Sequence, residues 1–88
     1  MKNIEKVFNV KIAAERGFVP VAREIVACIC DFQGAVYIEK DNRAVSARSM
    51  IGILSLGLQS GDTVKVTCSG EDEFAMKLCL EKFGAVIS

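Results

Sequence analysis

The chain has 88 residues, 11 Lys plus Arg against 11 Asp plus Glu, no histidine, and a hydrophobic fraction of 51%. A chain of this length buries only about 60–65% of its unfolded surface, so it holds one core and any site must lie on the outside. The missing histidine excludes imidazole metal ligation, Ser-His catalysis and phosphohistidine chemistry.

Balanced charge gives none of the clustered cationic excess that marks nucleic-acid or anionic-membrane binders. The longest apolar run, Ile25 to Cys30, is far below the roughly 20 residues of a membrane helix, and MKNIEKVFNV lacks a signal-peptide apolar core. The expectation is a soluble, cytoplasmic, single domain over residues 1–88 with no membrane insertion and no nucleic-acid partner. Cys28, Cys30, Cys68 and Cys79 sit in apolar or strand-like surroundings and are expected as reduced, largely buried thiols.

Alternation of Phe8, Val10 and Ile12 with Asn9 and Lys11 predicts a first, half-buried strand. Pro20 suits a helix's first turn, and Val21, Ile25, Cys28, Ile29 and Phe32 trace one helical stripe, predicting a helix from about 20 to 32. Gln33-Gly34 ends it. AVYIEK and RAVSA, joined at Asp41-Asn42, predict a hairpin. Ser49 before MIGILSLGL gives an N-cap and a helix of little more than two turns, stopped by Gly57. TVKVTC is the most regular strand pattern of the chain. Ser69 and Gly70 then introduce EDEFAMKLCLEKF, a helix with acidic residues in its first turn and Phe74, Ala75, Leu78 and Cys79 on one face. The order β-α-β-β-α-β-α predicts an α+β fold, an open-faced sandwich of a four-stranded antiparallel sheet with helices on one face.

SARSMIGILSLGLQSGDTVKVTCSGEDE, with this element order, resembles the histidine-containing phosphocarrier (HPr) family of the bacterial phosphoenolpyruvate-dependent sugar phosphotransferase system. The resemblance covers nearly the whole chain. Family members carry a Gly-aliphatic-His-Ala/Thr-Arg-Pro motif at the start of the first helix; its histidine takes phosphate from the system's first enzyme. Here the segment reads Gly17-Phe18-Val19-Pro20-Val21-Ala22. Aligned without a gap, Val19 stands at the acceptor position, Val21 at the arginine position and Ala22 at the proline position. Valine has no lone pair to offer, and Pro20 removes a backbone N–H from the anion-binding helix terminus.

A second family site is a serine at the start of the short helix, phosphorylated from ATP by a dedicated kinase, and Arg48-Ser49-Met50-Ile51-Gly52 is similar to it. The resemblance implies phosphorylation of Ser49, with Arg48 close enough in sequence to help. It also implies a partner-binding patch of Met50, Ile51 and Leu54, with the serine kinase, a transcriptional regulator of carbon catabolism or phosphotransferase components as partners. Each residue also has a plainer reading. Ser49 alone reads as a helix cap, and at least one of Met50, Ile51 and Leu54 must face inward. Phe18 and Val19 read either as a retained apolar docking surface or as drift in an abandoned site. Arg16 and Arg23 bracket that loop and read as an anion site or as solvated charges.

Cys28-x-Cys30 is read as packing, because residues two apart on a helix point about 200° apart. No metal or other cofactor is expected, and no nucleophile-base pair or Gly-rich phosphate loop is visible, so the chain does not read as an enzyme. Three functions stay open: a regulatory module phosphorylated at Ser49, an unmodified interaction or structural protein, and a phosphocarrier with a non-histidine acceptor.

Overall fold

The computed structural model describes residues 2–88. Its elements are β1 (Lys2–Asn9), α1 (Phe18–Cys28), β2 (Ala35–Lys40), β3 (Arg43–Ser46), α2 (Met50–Ser55), β4 (Thr63–Gly70) and α3 (Glu73–Ile87). The four strands form one antiparallel sheet in the order β1-β4-β2-β3. Pairing sets Phe8 opposite Val64, Ile38 opposite Val66 and Val36 opposite Cys68, so these apolar side chains share one face. The helices cover that face, burying Val21, Ile25, Ile53, Met76 and Phe83 against it. The expected α+β architecture and element order are those observed.

Three features differ from the periodicity. The first ladder runs over Lys2–Asn9 rather than through Ile12, although Val10 is buried. Beyond Asn9 the chain is held by loop bonds instead: Val10 N donates to the Asp62 carbonyl at 2.8 Å and Lys11 N to the Ile87 carbonyl at 2.7 Å. The first helix begins two residues before Pro20 and ends at Cys28. Ile29 and Phe32 still pack on the core, but from a turn closed by Phe32 N on the Ile29 carbonyl at 3.1 Å. A stripe of apolar residues records burial, and burial does not need the helix to continue.

The third difference concerns α3. Phe74 and Leu78, expected on its inner face, are 77% and 42% exposed, and the buried residues are Met76, Cys79, Leu80, Phe83 and Ile87. Ser69 and Gly70 belong to β4, and Asp72 caps the helix through its side chain, which accepts from Ala75 N at 3.2 Å. The cysteines are unpaired; Cys68 and Cys79 are buried as expected, Cys28 is half-buried and Cys30 is exposed. Cys30 lies beyond the end of α1, where the inward stripe no longer controls its direction.

The hairpin turns at Asp41 and Asn42 with φ of 51° and 66°, the paired positive values of a two-residue turn matched to strand twist. Its flanking cations fix α2 in place. Lys40 Nζ donates to the carbonyls of Leu56 and Gly57 at 3.2 and 3.3 Å and pairs with Asp62 at 2.9 Å. Arg43 donates to the Ser55 carbonyl and hydroxyl, both at 3.1 Å. The open carbonyls at the end of α2 thus meet positive charge, which the helix dipole favours. No helix among the described residues is long and apolar enough to cross a membrane.

Candidate functional site

Two helix starts carry the residues singled out in the sequence, and they differ in what they offer. At the start of α1, Gly17 stands at the N-cap with φ 75° and supplies no side-chain cap. Val19 is 46% exposed, while Phe18 is partly buried against the core. Val21 and Ala22 are fully buried. These two positions are committed to packing in the core. Arg16 pairs with Glu24 at 2.5 Å, so the carboxylate already neutralises one of the two arginines considered for an anion; Arg23 is exposed.

At the start of α2 the hydroxyl of Ser49 is exposed and accepts a hydrogen bond from Gly52 N at 3.0 Å. Ser49 is in extended conformation, which turns its side chain back over the first helical turn. Gly52 belongs to the same device: a Cβ there would lie 3.1 Å from Ser49 Oγ and 3.2 Å from the Cβ of Val45. Ile53 is fully buried and anchors the helix, whereas Ile51 is 82% exposed and Leu54 is also exposed. Met50 is half-buried and packs on the core. The inward member of the expected patch is therefore Met50, and Ile51 and Leu54 form its outward part.

Arg48 has a different duty from the one its sequence position suggests. Its guanidinium donates to the carbonyls of Gly34 at 2.8 Å, of Ile29 at 3.5 Å and of Phe32. It closes the end of α1 and the turn into β2, satisfying carbonyls that the helix leaves open. No feature of the local sequence signals this, because the partners lie 14 to 19 residues away.

The thiols form no converging ligand set around Cys28-x-Cys30. Cys28 Sγ donates to the Ile25 carbonyl at 3.2 Å, and Cys30 Sγ approaches Asp31 Oδ1 at 3.7 Å. Burial, with neighbouring Cys79 adding to it, pushes the Cys28 thiol up to about 11. Cys68 is held protonated by its hydrogen bond to Cys79 and by burial. Cys28 and Cys68 are packing thiols with little thiolate at neutral pH.

A family model described as the PTS HPr component phosphorylation site matches residues 7–87. The HPr-like protein Crh of Halalkalibacterium halodurans is 40% identical over 42 residues, covering 48% of this chain and 50% of that protein. Crh of Bacillus subtilis is 38% identical over 56 residues, covering 64% and 62% respectively. The matched segments span from half to under two thirds of the length of these two relatives. Among solved structures, the phosphocarrier protein HPr of Bacillus anthracis superposes with a TM-score of 0.80 at 28% identity, covering 98% of both chains. HPr of Thermoanaerobacter tengcongensis superposes with a TM-score of 0.65 at 33% identity, covering 96% of this chain and 97% of that one. Sequence, element order and superposition agree, and the chain belongs to the HPr family, similar to the HPr-like protein Crh.

Proposed function

We propose that this HPr-family protein is a cytoplasmic regulatory module, recognised by other proteins through the start of α2 and switched by phosphorylation of Ser49, and that it carries no phosphohistidine and catalyses no reaction itself. The observation that carries the proposal is the exposed Ser49 hydroxyl at a helix start, beside exposed Ile51 and Leu54, in a chain without histidine. A kinase can reach this oxygen. Phosphate placed there brings about −1.5 to −2 charge units and three acceptor oxygens to a helix terminus, where backbone N–H groups favour negative charge. One of those oxygens can take over the bond from Gly52 N that the hydroxyl now accepts. The modified helix would present charge and apolar surface side by side, a combination that a reader can distinguish from either alone.

Val19 supports the same assignment from the other site. In the position of the phosphate acceptor it offers a branched hydrocarbon, 46% exposed, on the helix whose next turn is core. With Phe18 it adds apolar surface and no group able to accept or neutralise a phosphoryl group. Arg48, fixed on the α1–β2 turn, supports the fold beneath the site.

The test is binding of a catabolite-control transcriptional regulator, the reader implied by family resemblance, to the unmodified and Ser49-phosphorylated protein. Binding that strengthens at least about tenfold on phosphorylation, a coupling of about 1.4 kcal/mol, supports the switch. Equal affinity of both forms would reduce Ser49 to a helix cap and favour an unmodified interaction module.

A further inference from the structure

Two thiols meet beneath the last helix. Cys68 of β4 and Cys79 of α3 are joined by a hydrogen bond where that helix crosses the sheet. Cys68 stands on the helix-covered face, opposite Ile4 and Val36 of the neighbouring strands, and is fully buried. Cys79 lies between it and the surface. It is 4% exposed, and with Cys28, Asp31, Leu78 and Lys82 it lines a small cleft of about 110 Å³ between α1 and α3. A water molecule accounts for about 30 Å³ of liquid, so the cleft has room for a molecule of two oxygen atoms. A sulfur with so little open surface is reached by a molecule of that size more readily than by a larger alkylating reagent.

We propose that this pair is an oxidation site for a small hydroperoxide, hydrogen peroxide in the simplest case: Cys79 is the sulfur that is oxidised, and Cys68 resolves it by closing a reversible Cys68–Cys79 disulfide. In the first step the Cys79 thiolate attacks one peroxide oxygen and the O–O bond breaks. The departing hydroxide takes up the proton the thiol gave up and leaves as water, and the sulfur becomes a sulfenic acid. In the second step the Cys68 sulfur attacks the Cys79 sulfur, the S–O bond breaks, and the hydroxyl leaves with the Cys68 proton as a second water. Two thiols and one hydrogen peroxide give one disulfide and two waters. A thiol reductant reverses the bond.

The surroundings divide the two roles. The Cys68 S–H donates to the Cys79 sulfur, and Arg48 and Lys82 add positive charge, which together hold the Cys79 thiol below the usual range against the opposing effect of burial. The same hydrogen bond, with burial, pushes Cys68 up, so it keeps its proton until the sulfenic acid forms beside it. Attack on peroxide needs a thiolate, and Cys79 is the sulfur of the pair that is favoured as one. The other two thiols lack a poised partner. Cys28 turns its S–H to the Ile25 carbonyl at 3.2 Å, and Cys30, though exposed, has Asp31 as its contact at 3.7 Å.

The disulfide ties α3 to β4 from inside the core. It draws on no residue of α2, so the Ser49 start is present in both redox states, whatever the reader of that start proves to be.

The test exposes the full chain at micromolar concentration and neutral pH to hydrogen peroxide, blocks the remaining thiols with N-ethylmaleimide in denaturant, and reads intact mass and tryptic peptides. The expected product has lost two hydrogens, leaves two thiols open to the blocking reagent, and links peptide 66–77 to peptide 78–82, since trypsin cuts after Lys65, Lys77 and Lys82. Dithiothreitol should restore the starting mass. In Cys68→Ala, Cys79 should be recovered as its dimedone adduct, the mark of a sulfenic acid, whereas in Cys79→Ala, Cys68 should stay reduced. Amide spectra check that each variant is folded, and the peptide map of the unsubstituted chain decides the proposal by itself where one is not. Oxidation of Cys30 with Cys68 and Cys79 left reduced, a disulfide joining Cys79 to Cys28 instead, or a rate that stops rising with peroxide concentration, as it must when the chain has to unfold first, would each overturn the proposal.

Discussion

The guanidinium of Arg48 donates to the carbonyl of Gly34 at 2.8 Å, so the residue preceding the candidate phosphorylation site is a strut for the turn between α1 and β2. Arg48→Ala removes donors from three carbonyls and is expected to lower the unfolding free energy by about 1.5–3 kcal/mol, the scale for bonds from a charged donor. Phosphorylation of Ser49 in the folded variant should proceed. Urea titration and a kinase time course would check both parts, and a stable variant that the kinase ignores would return Arg48 to the recognition surface.

Gly34 leaves no room for a side chain. Its φ is 151°, and a Cβ would lie 2.2 Å from the Ser69 carbonyl oxygen, a backbone atom of the neighbouring strand. Gly34→Ala should cost about 3 kcal/mol or more, since both backbone strain and a clash with the sheet oppose it. Gly57→Ala is the control: φ is 59° but nothing lies within 4 Å, and the cost should stay near 1 kcal/mol. Equal denaturation midpoints for the two variants would contradict this account.

On α2, neighbouring isoleucine substitutions should separate stability from recognition. Ile53 is fully buried, and Ile53→Ala should cost about 2–5 kcal/mol. Ile51 is 82% exposed, and Ile51→Asp should shift stability by no more than about 0.5 kcal/mol while weakening a partner that reads this helix start. Thermal unfolding alongside partner binding measures the two effects independently. Unchanged affinity in the folded Ile51→Asp variant would remove the apolar patch from the proposed site.

Thiol chemistry should follow burial. The raised pKa of Cys28 means that less of it is thiolate at any pH below about 11, so its alkylation should be slow at pH 8 and quicken about tenfold per pH unit until that value is reached. Cys30, exposed beyond the helix, should react first, and Cys68 and Cys79 only on unfolding. Intact-mass time courses with iodoacetamide across that pH range provide the test. Cys28 labelling as fast as Cys30 at pH 8 would mean that the α1–α3 cleft opens readily.

Local patterns in the sequence carried the element order, the turn at Asp41-Asn42, the Ser49 cap and the family resemblance, because each depends on residues near one another in the chain. Phe74 and Leu78, apolar and at helical spacing, lie on the outward face of α3. Hydrophobicity alone does not say which of two apolar faces meets the sheet, and this helix has apolar residues on both. The duties of Arg48, Lys40 and Arg43 were likewise invisible, since a cation's partner carbonyl is any open helix end that the tertiary fold brings within reach. The burial of Val21 and Ala22 became clear only once α1 was seated.

The most direct measurement of the central claim is intact mass after two parallel incubations: ATP with the family's serine kinase, and phosphoenolpyruvate with the phosphotransferase system's first enzyme. Ser49→Ala serves as control in both and should itself cost only about 1 kcal/mol through the lost cap. The account predicts one added phosphoryl group in the ATP reaction alone, absent from Ser49→Ala. A phosphoryl group acquired from phosphoenolpyruvate, or no modification in the ATP reaction, would contradict it.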